Sequence, residues 1–149
     1  MKIRLLAVGD KPREWVAKGY QEYARRLPPT MPLELVEIPT NKARDRGAQG
    51  KALLKATRPT DWVVTLEVTG RQCTTEELAE KLADWRMTGR DVALYIGGAD
   101  GLDAACGARA DETLSLSTLT FPHELVRVMV AEQLYRAWTV LSGHPYHRA

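Results

Sequence analysis

"DVALYIGG", residues 91–98, is the stretch whose reading decides the fold. No residue between Val92 and Ile96 is charged, so a strand here would be apolar on both faces. Such strands belong to parallel sheets covered by helices on each side, because antiparallel sheets commonly keep one face wet. Outward from it, "IRLLAV" (residues 3–8) is a second apolar run, ended by Gly9, and "DWVVTLEV" (61–68) a third, rich in β-branched residues. "LELVEI" (33–38) alternates apolar with acidic residues as a half-buried strand does, and "ETLSLS" (112–117) reads as a short last strand.

Helical patterns lie between these runs. "PREWVAKGYQEYARRL" (12–27) puts Pro12 at a first turn and Trp15, Val16, Tyr20 and Tyr23 at helical spacing. "TTEELAEKLADWRMTG" (74–89) opens with Thr74 and Glu77 in capping-box spacing and closes on Gly89. "DAACGARA" (103–110) is a short helical turn, and "FPHELVRVMVAEQLYRAWTVLSG" (121–143) a long helix with Pro122 near its start and Gly143 past its end. The alternation predicts one α/β domain over residues 1–149, a mostly parallel sheet with helices on both faces. "TNKARDRGAQGKALLKATRP" (40–59) stays open between a solvated helix or mobile loop and an arm or lid that meets phosphate. It holds Lys42, Arg44, Arg46, Lys51, Lys55 and Arg58, the most basic stretch of the chain.

Composition narrows the partners. A net charge of +2 is nearly balanced, which argues against a general electrostatic grip on nucleic acid but leaves room for a local patch. Cys73 and Cys106 have neither CxxC spacing nor a signal segment nearby and read as reduced packing residues of a cytoplasmic, soluble protein. No apolar run approaches the roughly 20 residues of a membrane span, and the three histidines form no metal-binding pattern, so neither membrane nor metal is expected.

In open parallel sheets ligands lie outside the carboxyl ends of the strands. Three loops leave such ends here. "IGGADG" (96–101) carries glycines at 97, 98 and 101, which is either a tight turn or a close backbone approach to a ligand. Neither GxGxxG nor a GxxxxGK[ST] phosphate loop is present, so nucleoside triphosphate chemistry has no support. "LSLSTLTFP" (114–122) could hold an adenine edge on its backbone while Leu119 and Phe121 enclose the ring, or could be a strand end plus helix cap. On the long helix Glu132 and Arg136 stand four residues apart, by default a solvated pair, and His123 reads as a helix-start residue. The apolar face of this helix is wide, which hints at a second subunit. The tail "HPYHRA" (144–149) gathers a histidine near its neutral-pH switch point, an arginine suited to phosphate and a tyrosine able to stack.

"LYIGGADGL", "LSLSTLTFPHELVRVMVAEQLYRAW" and the terminal "HPYHR", with the opening "AVG" and "YQEYARRLP", closely resemble the bacterial SPOUT-superfamily methyltransferases that act on a pseudouridine of large-subunit ribosomal RNA. The resemblance spans the chain. It implies an S-adenosyl-L-methionine enzyme that methylates N3 of a pseudouridine in 23S rRNA on the ribosome, a homodimer, and a C-terminal trefoil knot. By position, the cofactor would meet Leu66, Gly98, Ser117, Thr118, Leu119, Thr120, Phe121 and Pro122, the same three loops. Ala99 and Asp100 replace the proline and glutamate commoner in the family, and Ala149 stands where many relatives carry an acid.

Methyl transfer from a sulfonium needs positioning above all, plus a base or cation that helps the target nitrogen lose its proton. Tyr146, His147 and Arg148, with Arg136 and Glu132, are the expected catalytic group. A tail that crosses a two-fold interface, and orders only with dimer and RNA, would complete the partner's site. Two rival readings remain: a ribosome-binding assembly factor without catalysis, and a SPOUT enzyme acting on tRNA.

Overall fold

The computed structural model describes residues 1–148, so Ala149 lies outside the described residues. Five strands form one sheet in the order β2-β1-β4-β3-β5: β1 (Ile3–Val8), β2 (Leu33–Ile38), β3 (Trp62–Gln72), β4 (Val92–Ile96) and β5 (Glu112–Ser115). Every neighbouring pair is parallel. The helices are α1 (Glu14–Ala24), α2 (Arg46–Lys55), α3 (Thr75–Thr88), α4 (Ala104–Arg109) and α5 (His123–Ser142), followed by a 3-10 turn, Pro145–Arg148.

The period of two in the strands sorts their side chains into two cores. Ile3, Leu5 and Ala7 of β1 and Val92, Leu94 and Ile96 of β4 pack with residues of α1, α3 and α5, among them Tyr20, Leu82 and Leu134. Leu6, Val8, Ala93 and Tyr95 face the other way, against Leu53 of α2 and Cys106 of α4. Residues 92–96 are therefore apolar on both sides because helices cover both sides. Cys106 is fully buried, and desolvation together with nearby Asp103 pushes its thiol up to about 12, which suits packing rather than reactivity.

Local chemistry sets the boundaries. Thr74 and Glu77 form the reciprocal capping box, and Gly89 ends α3 in the left-handed region at φ 72°. Asp45 accepts from the Ala48 amide, so residues 46–55 of the ambiguous basic stretch are a helix. Three expectations shift. α1 starts at Glu14, leaving Pro12 just ahead of it, and Trp15 is 57% exposed instead of facing the core. β3 runs on to Gln72 because its pairing with β5 resumes at Arg71 after a register break beyond Leu66. The intervening residues 67–70 lie in the register break, with Gly70 close against the Leu114 backbone.

Two polar pins hold the edges. Glu112 of β5 accepts from the indole N–H groups of Trp62 and Trp85, each at 2.9 Å, and from the Lys81 ammonium at 2.8 Å. Asp61, buried, pairs with Arg4 of β1, while its carbonyl accepts from Arg109 at 2.9 Å and Arg90 at 3.2 Å. Each pin joins segments far apart in sequence, so strand order is fixed by charge as well as by apolar packing.

Candidate active site

Residues 66–69 of β3, at its register break, and the loops that leave β4 and β5 line a cavity of about 710 Å³. Its wall comes from residues 66–69, 96–102 without Asp100, 116–123 without Thr118, and Val126. Of the expected cofactor residues, Leu66, Gly98, Ser117, Leu119, Thr120, Phe121 and Pro122 line it, while Thr118 is exposed and does not. The volume falls inside the usual small-molecule range of about 300–1,000 Å³.

Glycine shapes the floor. The Gly101 amide donates to the Gly98 carbonyl at 3.0 Å, closing a turn in which Gly101 takes φ 77°. A Cβ on Gly97 would stand 2.7 Å from the Gly101 carbonyl carbon, and one on Gly98 would stand 3.1 Å from Val8 Cγ1. Both glycines permit close backbone approach. The β5–α5 segment is shaped by its hydroxyls: Ser115 Oγ donates to the carbonyls of Val68 (3.0 Å) and Ser117 (2.8 Å), and the Leu119 amide donates to Ser117 Oγ at 3.0 Å. Leu119 is left 67% exposed at the cavity mouth, where an apolar residue is costly unless something covers it. Pro122 gives α5 no side-chain cap, so first-turn amides remain unclaimed beside the cavity.

Sequence reasoning missed two lining groups. His123 starts α5 as expected, yet its ring also lies at the cavity and within about 3.2 Å of where a Gly9 Cβ would be. Glu67 is the acid that lines it. Both depend on where the β3 register break and the α5 start fall, which no local pattern announces.

The expected catalytic residues form a separate cluster. Tyr146 Oη donates to Glu132 Oε2 at 2.9 Å, and Arg136 donates to the same carboxylate from Nε (3.1 Å) and Nη2 (2.8 Å). The Arg136 guanidinium also sits 4.8 Å from the Tyr146 ring centre, and the Tyr135 ring packs 4.7 Å from it. Desolvation, then the bond to Glu132, raises the Tyr146 hydroxyl above its ordinary pKa and keeps it protonated. The Glu132–Arg136 pair is thus mostly buried, at 17% and 21% exposure, and not solvated. His147 Nδ1 is buried without a hydrogen-bond partner, and Arg148 is exposed. The described tail residues lie against their own α5, through the Tyr146–Glu132 hydrogen bond and the Tyr135–Tyr146 ring contact.

Within one chain the two groups do not meet. Glu132 stands nine positions after His123, about 14 Å of rise along α5, and among the described residues none of the tail lines the cavity. Among the described residues, no group of three or more His, Cys, Asp or Glu side chains could hold a metal ion, and no helix is long and apolar enough to cross a membrane.

Known proteins resemble this chain along its length. It is 51% identical to ribosomal RNA large subunit methyltransferase H of Hahella chejuensis, with 99% of each chain covered. The protein of the same name from Marinomonas sp. is 50% identical over 99% of this chain and all of its own length. Among solved structures, a probable methylase family protein from Haemophilus influenzae matches with TM-score 0.59 at 15% identity, covering 97% of this chain and 69% of its own. TrmJ from Z. mobilis matches with TM-score 0.55 at 17% identity, covering 91% and 70%; these two speak for the fold alone. A family model described as "Predicted SPOUT methyltransferase" matches residues 1–147. A family model over residues 1–147, with relatives half identical over their whole length, places this chain, with its parallel sheet and the cavity beside β3, β4 and β5, in the SPOUT methyltransferase family.

Proposed function

We propose that the chain methylates N3 of a pseudouridine in 23S rRNA of the large ribosomal subunit, using S-adenosyl-L-methionine and working as a cytoplasmic homodimer. The observation that carries this reading is the cavity at the ends of β3, β4 and β5, joined to relatives named as large-subunit ribosomal RNA methyltransferases. When bound, the cofactor supplies an electrophilic methyl group on a sulfonium.

The residues present suit that group. Backbone of the 117–122 segment and of the glycine turn at Gly98 lines the cavity, where it would meet an adenine, with Leu119 and Phe121 as apolar covers. Glu67 can accept from ribose hydroxyls, a charge-assisted bond of the stronger kind. These groups orient the ligand, and orientation is the larger part of an in-line displacement.

The target nitrogen must lose a proton before it attacks. The His147 imidazole is suited to take it, while Arg148 and Arg136 favour the charged ring or hold phosphate. The tail lies far from its own cavity, so it serves the cavity of a second copy. The wide apolar face of α5, with Leu141 exposed at 39%, fits that pairing. The C-terminal knot is proposed on family membership, and the chain turns back after edge strand β5 to lay α5 on α1 and α3.

The test is transfer of radiolabelled methyl to unmethylated ribosomes, free large subunits, tRNA and naked ribosomal RNA. Label in large-subunit RNA of assembled ribosomes is expected. Label confined to tRNA would overturn the substrate, and ribosome binding without cofactor affinity would leave an assembly factor.

A further inference from the structure

The charges of this chain are paired unevenly. Cations over much of the surface sit in ion pairs, such as Lys2 with Glu34, Lys18 with Glu14, and Arg25 and Arg26 with Glu22. The loops that leave β1 and β2 are different. Lys11 and Arg13 on the first, and Lys42, Arg44 and Arg46 on the second and at the start of α2, are exposed and carry no ion pair among the described residues. Lys51 and Lys55, four residues apart on α2, continue the row while Gln49, Gly50 and Leu53 are buried.

The acids nearby are already spent. Asp10 takes both the amide (3.0 Å) and the hydroxyl (2.8 Å) of Thr40, which holds its carboxyl below the ordinary pKa and ties the two loops together. Asp45 caps α2 and Glu14 pairs with Lys18. Residues 42–58 hold six Lys and Arg against one acid, whereas the whole chain is only +2, so the rest of the molecule is net negative. Beside the cations, Trp15 in the first turn of α1 is 57% exposed and covers no core.

Both loops sit at the carboxyl end of the sheet, where the cavity is. Gly98, in the cavity wall, abuts Val8, the last residue of β1, and the His123 ring lies against Gly9. A strand lying on these loops would run into the cavity mouth. We infer that the β1–α1 and β2–α2 loops form a cradle for the substrate RNA strand, with their free cations on phosphates, continued along α2, and Trp15 as a base-stacking platform. Unpaired positive charge next to an exposed aromatic ring is the surface that single-stranded nucleic acid requires. The inference rests on the RNA reading above and adds which surface holds the RNA.

The probes are a uridine-rich single-stranded oligoribonucleotide and unmethylated large subunits. Arg44→Glu with Arg46→Glu should weaken oligonucleotide binding about tenfold or more, and lower the slope of log Kd against log salt by between about one and two. Cofactor affinity and melting temperature should hold, because a glutamate at the start of α2 suits the helix dipole. Trp15→Ala should weaken binding about tenfold without changing the salt slope, and Trp15→Phe should restore most of it. Unchanged RNA affinity in these variants, or a wild-type chain that does not bind the oligonucleotide at low salt, overturns the cradle. So does a loss seen on large subunits but not on RNA, which would assign the face to a ribosomal protein. A wild type that binds RNA through these residues yet methylates nothing would keep the cradle and discard the proposed reaction.

Discussion

A side chain at position 97 would meet backbone, which cannot rotate away, and that separates this glycine from one in a merely tight turn. Gly97→Val should therefore distort the 97–101 turn and cost the chain about tenfold or more in cofactor affinity. Thr118→Ala, at an exposed position outside the cavity wall, should leave cofactor affinity within about twofold, since surface changes away from contacts cost little. Calorimetric titration of S-adenosyl-L-methionine into each variant checks both. Most of the cavity wall was legible because glycines and a hydroxyl-rich run sit where strands end. Glu67 and His123 were not legible, because an acid after a strand and a histidine at a helix start have commonplace structural uses. Only the fold shows that these two share a wall with Gly98.

At the scale of elements, β5 has only four residues and one strand neighbour, so it needs more than ladder bonds. Glu112 supplies them. Burial alone would raise its carboxyl, but the Lys81 ammonium and the two indole N–H groups outweigh that and hold it below the usual carboxylate value. The stabilisation is then present above the unfolded carboxylate pKa of about 4.3 and is lost as pH falls through the lower folded value. Glu112→Gln should cost roughly 1–3 kcal/mol at neutral pH, the scale of a charged group's hydrogen bonds. It should also flatten the acid limb of a plot of unfolding free energy against pH, measured by urea titration. A limb as steep as wild type would reassign acid sensitivity to other carboxylates. Helices and strands were largely readable from period and caps, as the Thr74–Glu77 box shows. The continuation of β3 to Gln72 was not readable, because it depends on pairing with β5, and pairing across a register break leaves no local pattern.

For the whole molecule, the separation of tail from cavity decides how activity must be assembled. The expected knot could not be read from spacing, since it concerns how distant segments pass, and the resemblance alone implied it; a second subunit was hinted at by the wide apolar pattern of the long helix and named by the resemblance. Tyr146 packs on Tyr135 and donates to Glu132, far along α5 from the cavity, and the proposal of two copies rests on that separation. Deleting residues 146–149 should abolish methyl transfer to ribosomes while cofactor affinity stays within about twofold, as none of the described tail residues lines the cavity. Loss of cofactor binding would instead make the tail part of its own pocket. Mixing tests the arrangement directly. Neither the tail-deleted chain nor Gly97→Val should transfer methyl alone. In a mixed dimer, the intact cavity of the tail-deleted chain faces the intact tail of the Gly97→Val chain, giving one complete site. Equal amounts, unfolded and refolded together, form mixed dimers about half the time, so activity should return to about a quarter of wild type. If each tail served its own cavity, every site in the mixed dimer would lack one half, and refolding together would restore nothing.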